Sequence, residues 1–386
     1  MKRIQKIKEV CTISGGYAFK SNDFTRQGIP IIRIGDISGN KVNISSGTVF
    51  FEEYNEKLNK FIIEKGDILV ALSGATTGKF GIYDEEIQAL LNQRVAKISP
   101  KENINNKYLY YYMNKLQNII YNKALGCAQP NISPNEIGEI EIYVPSRLEQ
   151  DKISDVLDIA KDLIDKRKKQ IEELDLLVKS KFIEMFGNPV SNPKGWEKVA
   201  LIDLGELARG KSKHRPRNAP ELMNGPYPLI QTGDVANAGI YIKEYTQTYS
   251  ELGLQQSKMW KAGTLCITIA ANIAKTTILT FDACFPDSIV AFIPNEKTNT
   301  MFIQFWMSFL QKILEDSAPE SAQKNINLKI LGEQRVIVPP IEFQNQFADF
   351  VKQVDKLKFE MEKSLKELED NFNSLMQKSF KGKLFI

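Results

Sequence analysis

The segment that most resembles a chemical device is Gly205-Glu206-Leu207-Ala208-Arg209-Gly210-Lys211-Ser212, which satisfies the spacing of a phosphate-binding loop. Such a loop needs a buried strand before it and a helix after it, so that backbone amides and the helix N-terminus hold the phosphate. Here the continuation is Lys213-His214-Arg215-Pro216-Arg217-Asn218-Ala219-Pro220, and its two prolines forbid a regular helix. The match is therefore read as accidental. The same run suits nucleic acid better: Lys211, Lys213, Arg215 and Arg217 can neutralise backbone phosphates, and a proline-rich loop loses little entropy on ordering. A solvated basic loop without a ligand fits these residues equally well.

Other polar side chains carry the same double reading. Arg33 and Gln231 lie just before the aligned Gly-Asp pairs, Gly35-Asp36 and Gly233-Asp234, and suit bidentate contacts to guanine and adenine respectively. The plainer reading is a strand-end residue bonded to its own fold. Ser73, Thr76, Thr77 and Lys79 lie in a Gly-rich loop after the apolar segment Asp67 to Leu72, which permits close approach of a DNA backbone or merely a tight turn. Gln129 and Asn131 recur later as Gln323 and Asn325, so a structural or phosphate-contact role is expected for them. The aromatic runs Tyr108, Tyr110, Tyr111, Tyr112 and Phe302, Phe305, Trp306 have helical spacing and are expected in cores rather than stacked on bases.

Composition excludes more than it suggests. With His214 as the only histidine, zinc sites and histidine-dependent nucleophilic chemistry are poorly supported, and no metal is expected. Cys11, Cys127, Cys266 and Cys284 show no Cys-x-x-Cys spacing and read as reduced, ordinary residues. No run of apolar residues is long enough to cross a bilayer and no secretory leader is visible, so a cytoplasmic protein is expected. The net charge of +4 is mild. The long charged segments near 147–187 and 342–383 are nearly balanced, so the basic excess lies in the globular units, which is compatible with nucleic acid without proving it.

What must position these candidates is a duplication. Ile4, Ile7, Glu9 and Val10 align with Leu201, Leu204, Glu206 and Leu207 at an offset of 197. Gly35-Asp36-Ile37 then meets Gly233-Asp234-Val235, Lys65-Gly66 meets Ala262-Gly263, and Val95-Ala96 meets Val290-Ala291. By Gln129, Asn131, Ile132, Val144, Pro145 and Gln150, facing Gln323, Asn325, Ile326, Val338, Pro339 and Gln344, the offset has settled at 194. A unit this large, present twice, does one thing twice.

Each unit ends in a charged helix with a heptad-like seam. The first runs through Ile153, Leu157, Ala160, Ile164, Ile171, Leu174, Val178 and Met185, and the second through Phe347, Val351, Val354, Met361, Leu365, Leu368, Phe372 and Leu375. Each is interrupted by a basic residue, Arg167 and Lys358. Two seams in matching phase favour mutual pairing over packing of each helix on its own domain. Chain order makes that pairing antiparallel, and the expected object is a caliper, a rod of about 50 Å bearing a globular head at each end.

The sequence resembles the specificity subunits of type I restriction-modification systems over essentially its whole length. The landmarks are Ile7-Lys8-Glu9-Val10 and Leu204-Gly205-Glu206-Leu207, then Gly15-Gly16-Tyr17-Ala18-Phe19-Lys20-Ser21, Arg33-Ile34-Gly35-Asp36-Ile37 and Lys65-Gly66-Asp67-Ile68-Leu69. Ser73-Gly74-Ala75-Thr76-Thr77-Gly78, Asn92-Gln93-Arg94-Val95-Ala96, Gln129-Pro130-Asn131-Ile132-Ser133, and Val144-Pro145 with Glu149-Gln150 complete the series. Their order, and its recurrence, carries the resemblance. Unit two departs at Ala270-Ala271-Asn272-Ile273-Ala274-Lys275 and Asp287-Ser288-Ile289-Val290, as expected if the two units read different bases.

The resemblance implies an α+β chain with target-recognition domains at 1–146 and 188–340 and spacer helices at 147–187 and 341–386, the helices paired as an antiparallel coiled coil. It implies double-stranded DNA as ligand, each domain reading half of a split target. Lys20, Arg33, Ser73, Thr76, Thr77, Lys79, Lys211, Lys213, Arg215, Arg217, Gln231, Asn272 and Lys275 are the candidate DNA contacts. It further implies two methylation subunits docked on the helices, S-adenosylmethionine bound in those partners and not in this chain, and restriction subunits in the full complex. No methyltransferase signature or catalytic constellation is visible, so a non-catalytic subunit is expected. The alternatives are a coiled-coil adaptor that binds no DNA and a silent specificity cassette.

Overall fold

The computed structural model describes residues 4–52, 55–125, 129–270, 273–317 and 326–384. The chain divides into two compact units, one comprising Met1–Lys168 with Lys363–Ile386 and the other Lys169–Glu362. The long helices occupy Arg147–Phe186 and Ile341–Phe380, so each helix contributes one half to each unit. Each head is thus packed on helix.

Unit one contains a six-stranded sheet in the order Cys11–Gly15, Val95–Pro100, Ile68–Ala71, Phe80–Tyr83, Asn40–Val42, Ile37–Ser38. A four-stranded sheet follows the order Val49–Phe51, Ile29–Ile32, Ala89–Leu91, Ile62–Ile63. Unit two repeats the plan with five strands, Gly205–Arg209, Ile289–Pro294, Leu265–Thr268, Thr276–Leu279 and Tyr241–Ile242, and four more, Gln247–Tyr249, Met223–Leu229, Ala283–Cys284 and Met259–Trp260. The one parallel pairing of each four-stranded sheet also recurs, Ile29–Ile32 beside Ala89–Leu91 and Met223–Leu229 beside Ala283–Cys284.

The central strands Ile68–Ala71 and Leu265–Thr268 are buried along their whole length. That explains their uninterrupted apolar character, because both faces are covered. Ile68 and Val70 join Ala96, Ile98 and the domain helix Asn106–Ala124 in one core, while Leu69 and Ala71 join Val95 in a second. In unit two Leu265 and Ile267 face Val290, Phe292 and the helix Thr300–Ser317, and Cys266 faces Ile289 and Ala291. The aromatic runs behave as core: Tyr108, Tyr111, Tyr112, Phe302, Phe305 and Trp306 are buried, and the Tyr108 hydroxyl donates to the Tyr143 carbonyl at 2.6 Å.

The strand ladders correct two registers of the sequence alignment. Cys11 pairs with Pro100 and Gly205 with Pro294, and Ile7 donates to the Ile140 carbonyl where Leu201 donates to that of Gln334. Ile7 and Val10 therefore correspond to Leu201 and Leu204 at an offset of 194, not to Leu204 and Leu207. Likewise Val95 opposes Ala71 as Ile289 opposes Thr268, so Val95 matches Ile289, one residue earlier than aligned. A one-residue slip in a strand exchanges its two faces, and the core memberships of Ala96 and Val290 agree with the ladder.

The long helices start and stop on local signals. Ser146 and Glu149 form a capping box, the Ser146 amide donating to the Glu149 carboxylate at 3.0 Å and the Glu149 amide to the Ser146 hydroxyl. Past the end, Gly187 takes a φ of 78°, a left-handed value that glycine adopts without a Cβ clash. The halves pair antiparallel within each unit. In unit one Lys168 bonds Glu369 at 2.8 Å while Ile153 and Leu157 share a core with Met376 and Phe380. In unit two Lys358 meets Asp175 at 2.7 Å and the Phe182 and Phe186 rings pack on Phe347. Of the seam positions, Ile153, Leu157, Ile164, Leu174, Val178 and Val351 are buried, and Ile171, Val354, Met361, Leu365, Leu368 and Phe372 are half-buried. Toward the helix ends the buried stripe turns onto Phe182, Phe186 and Phe380, which pack on the domain helices Thr300–Ser317 and Asn106–Ala124 as well as on the facing spacer helix.

Candidate functional site

The two Gly-Asp turns share one backbone cap, which settles what Arg33 and Gln231 do with their amides. The Arg33 amide donates to Asp36 Oδ2 at 2.8 Å, and the Gln231 amide to Asp234 Oδ2 at 2.7 Å. Asp36 also accepts from Thr48 Oγ1 at 3.0 Å. The Arg33 side chain turns back on its own unit, donating to the Gly47 carbonyl at 2.7 Å with its guanidinium 5.9 Å from the Phe24 ring centroid. Gln231 Nε2 donates to Gln247 Oε1 at 3.2 Å. Both residues are half-buried fold elements as well as candidates for base contact.

The loop after Ile68–Ala71 is similarly internal at one point and open at another. Thr77 is 3 % exposed, and its hydroxyl lies within bonding distance of the Gly74 and Pro130 carbonyls, at 2.7 and 3.1 Å. Gly78 has a φ of 83° and sits so close to the domain helix that a Cβ would stand 2.7 Å from the Gln117 carbonyl. Thr76 lies near the Ser73 carbonyl at 3.4 Å, whereas Lys79 and Lys20 are exposed. Ser73 bridges to Asn131, and the Gly74 amide donates to Pro130 at 2.9 Å. Ser73, Gly74, Gln93, Arg94, Gln129 and Asn131 thereby line one polar concavity of about 620 Å³. Gln93 and Arg94, which the candidate set omitted, project there from an exposed turn. Only tertiary pairing brings their turn, the Ser73 loop and the Gln129 loop together.

In unit two the basic loop is organised rather than loose. Gln256 Oε1 accepts from the Lys213 and His214 amides at 2.7 and 3.1 Å. The Arg217 guanidinium bonds Asp287, Arg215 reaches the same carboxylate at 3.5 Å, and Arg215 also donates to the Ser212 and His214 carbonyls. Lys211 and Lys213 are exposed and form no ion pair among the described residues. Asp287 thus neutralises part of the arginine charge and leaves the two lysines projecting. Sequence reading missed this role because Asp287 lies far along the chain. Lys275 is half-buried and lines a separate concavity of about 350 Å³ with Val178, Lys179, Gln304 and Lys358. Asn272, Gln323 and Asn325 lie outside the described residues.

The phosphate-loop match fails on geometry. Gly205–Arg209 is a strand paired with Ile289–Pro294, and the chain beyond it meets only the short turn Pro220–Leu222, with no helix to receive a phosphate. Burial pushes the Cys11 thiol up to about 12 and raises those of Cys266 and Cys284, so these thiols stay neutral at physiological pH. Among the described residues no group of three or more His, Cys, Asp or Glu is arranged to hold a metal, and no helix is long and apolar enough to cross a membrane.

The family model described as the type I restriction modification DNA specificity domain matches twice, over residues 2–175 and 193–370. The chain belongs to that family. Among specificity-domain relatives, the EcoBI specificity subunit of Escherichia coli is 24% identical, with 97% of this chain and 84% of that protein covered. The MjaIX specificity subunit of Methanocaldococcus jannaschii is 26% identical, covering 99% of this chain and 93% of its own. The fold agrees with a chain solved in a study of complex assembly and conformational transition of the type I R-M system, at a TM-score of 0.65 and 17% identity, covering 99% of this chain and 98% of that one. A type I restriction-modification S subunit from M. genitalium gives 0.53 at 17% identity, covering 98% and 95%. Each family match spans one head and most of the spacer helix that follows it, the same unit that the strand ladders repeat.

Proposed function

We propose that this chain is the DNA-recognition subunit of a type I restriction-modification complex, each head reading one half of a bipartite target while the paired helices set the unread interval and dock methylation subunits. The observation that carries the reading is one frame built twice with different loops. A shared frame gives both heads the same way of meeting a duplex, and the loops that differ are free to meet different base edges. Lys211 and Lys213 of unit two, and Lys20, Lys79, Gln93 and Arg94 of unit one, are the exposed groups best placed for that contact. The helices carry apolar side chains left in solvent, with Ile159 63% exposed, Leu176 61% and Phe359 56%, as a surface reserved for partner subunits would.

In this assembly the chain itself is not catalytic. Two methylation subunits bind S-adenosylmethionine and modify adenine, restriction subunits complete the complex, and the assembly acts on cytoplasmic DNA. The test is to co-express the chain with its methylation subunit and sequence the host DNA for modified adenines. Methylation confined to one split motif, changing in one half only when residues 4–145 are replaced by another head, is the expected result. A well-formed complex that methylates nothing would favour a silent cassette or an adaptor.

A further inference from the structure

We propose that Gln150 and Gln344 are positioning residues, a pair of buried joints that fix the rotation of each head on its spacer helix and so set the tolerance for gap length. Both lie in the first turns of the long helices and are fully buried. Gln150 Oε1 accepts from the Asn105 amide at 2.8 Å, while Nε2 donates to the Asn103 and Pro145 carbonyls at 3.1 and 3.0 Å. Gln344 Oε1 accepts from the Asn299 amide at 3.2 Å and from Thr298 Oγ1 at 2.8 Å, while Nε2 donates to the Lys297 and Pro339 carbonyls at 3.0 and 2.8 Å. Every partner of the first glutamine has its counterpart 194 residues later.

The place that is tied matters as much as the bonds. Asn105 is the N-cap of the domain helix, its side chain accepting from the Lys107 and Tyr108 amides, and Asn299 likewise accepts from the Phe302 amide at 2.8 Å. One glutamine therefore joins the start of a domain helix to the start of a spacer helix. At the outer edge a second bond repeats, Asn105 Nδ2 to Asp151 at 2.6 Å and Asn299 Nδ2 to Asn345 at 3.0 Å. Apolar contact between a helix and a core is non-directional and allows small rolls. Three or four hydrogen bonds of fixed geometry in a buried site do not. Glutamine is required because the site presents both carbonyls and a backbone amide: leucine strands all three, and glutamate lacks the donors.

The consequence for gap length rests on the proposed function, since the distance between half-sites depends on how each head is posed as well as on helix length. The experiment uses the full chain with its methylation subunit, comparing Gln150→Leu and Gln344→Leu with wild type by methylation sequencing. Expected are unchanged bases in both half-sites, methylation at the native gap reduced at least tenfold, and new methylation at gaps one base pair longer or shorter. Native-gap methylation at the wild-type level in a folded variant, or altered bases in a half-site, would overturn the proposal. If a leucine variant does not fold, Asp151→Ala and Asn345→Ala, which leave the glutamines in place, should broaden the gap in the same direction, and an unbroadened gap counts against it. Hydrogen exchange separates this failure from failure of the functional reading. The Asn105 and Asn299 amides should lose protection in the leucine variants while the strands Ile68–Ala71 and Leu265–Thr268 keep theirs, and retained protection would overturn the joint even where no methylation is seen.

Discussion

The two heads share their joints and differ in their loops. Asp36 and Asp234 cap the same turn, and Gln150 and Gln344 bond the same three backbone groups. By contrast, the loop candidates of unit one are folded onto their own backbone around Thr77 and Arg33, whereas those of unit two are braced by a remote carboxylate, Asp287. A chain that must hold two heads in one geometry while reading two sequences has to divide its residues in this way. The division can be attacked from either side.

The largest effect should come from the helices, because both heads depend on them. One heptad inserted into Arg147–Phe186 alone puts its seam out of step with Ile341–Phe380 and should abolish methylation. Matched insertions in both helices add about 10 Å, or about three base pairs, and should restore methylation at a longer gap with the same bases read. Methylation sequencing of the three strains decides it, and an unchanged gap after matched insertion would defeat the caliper model.

Next in size is a core change that should split the two units. Phe182 packs against the rings of Phe186, Phe302, Phe309 and Phe347, while the position equivalent by the offset of 194 in unit one is Met376. Phe182→Ala should cost about 3–5 kcal/mol in unit two, and Met376→Ala less in unit one, since methionine makes fewer directed ring contacts and its surroundings relax. Hydrogen exchange resolved by unit should show the loss of protection on opposite sides in the two variants.

A smaller contrast lies in the capping aspartates. Asp36→Ala leaves both the Arg33 amide and the buried Thr48 hydroxyl short of an acceptor and should cost about 2–3 kcal/mol. Asp234→Ala removes a half-buried cap and should cost about 1 kcal/mol. Denaturant titration of both variants checks the order, and equal losses would mean that Thr48 finds another acceptor.

Much of this architecture is legible in the sequence because it depends on periodic patterns: the seam of heptads, the apolar central strands and the repeated Gly-Asp turns. Register is where the reading slips, and the reason is physical. Ile4, Ile7 and Val10 share a three-residue spacing with Leu201, Leu204 and Leu207, so the pattern matches itself when moved by one step. The strand Ile289–Pro294 has both faces covered over its first half, leaving no polar alternation to fix Val290 against Val95. The Asp287 brace and the concavity shared by Ser73, Arg94 and Asn131 join segments far apart in the chain, and no local spacing records them. Arg33 shows the converse limit: its type suits guanine, yet its guanidinium donates to the Gly47 carbonyl.

The finest test of the division concerns Lys211 and Lys213, the two cations of the basic loop that Asp287 does not engage. Each phosphate contact removed lowers the salt dependence of DNA affinity by about one unit of slope. Lys211→Ala with Lys213→Ala should therefore flatten a plot of log affinity against log salt by about two, in the assembled complex, while both half-sites keep their bases. Arg217→Ala should act differently. It leaves Asp287 facing Arg215 alone, loosens the loop, and weakens binding without an equal change in slope. Lys20→Ala with Lys79→Ala makes the matched pair in unit one, where the lysines project from loops packed on their own backbone. If the unit-two lysines leave the slope unchanged, the loop is only a solvated basic surface, and the contacts of that head must lie elsewhere.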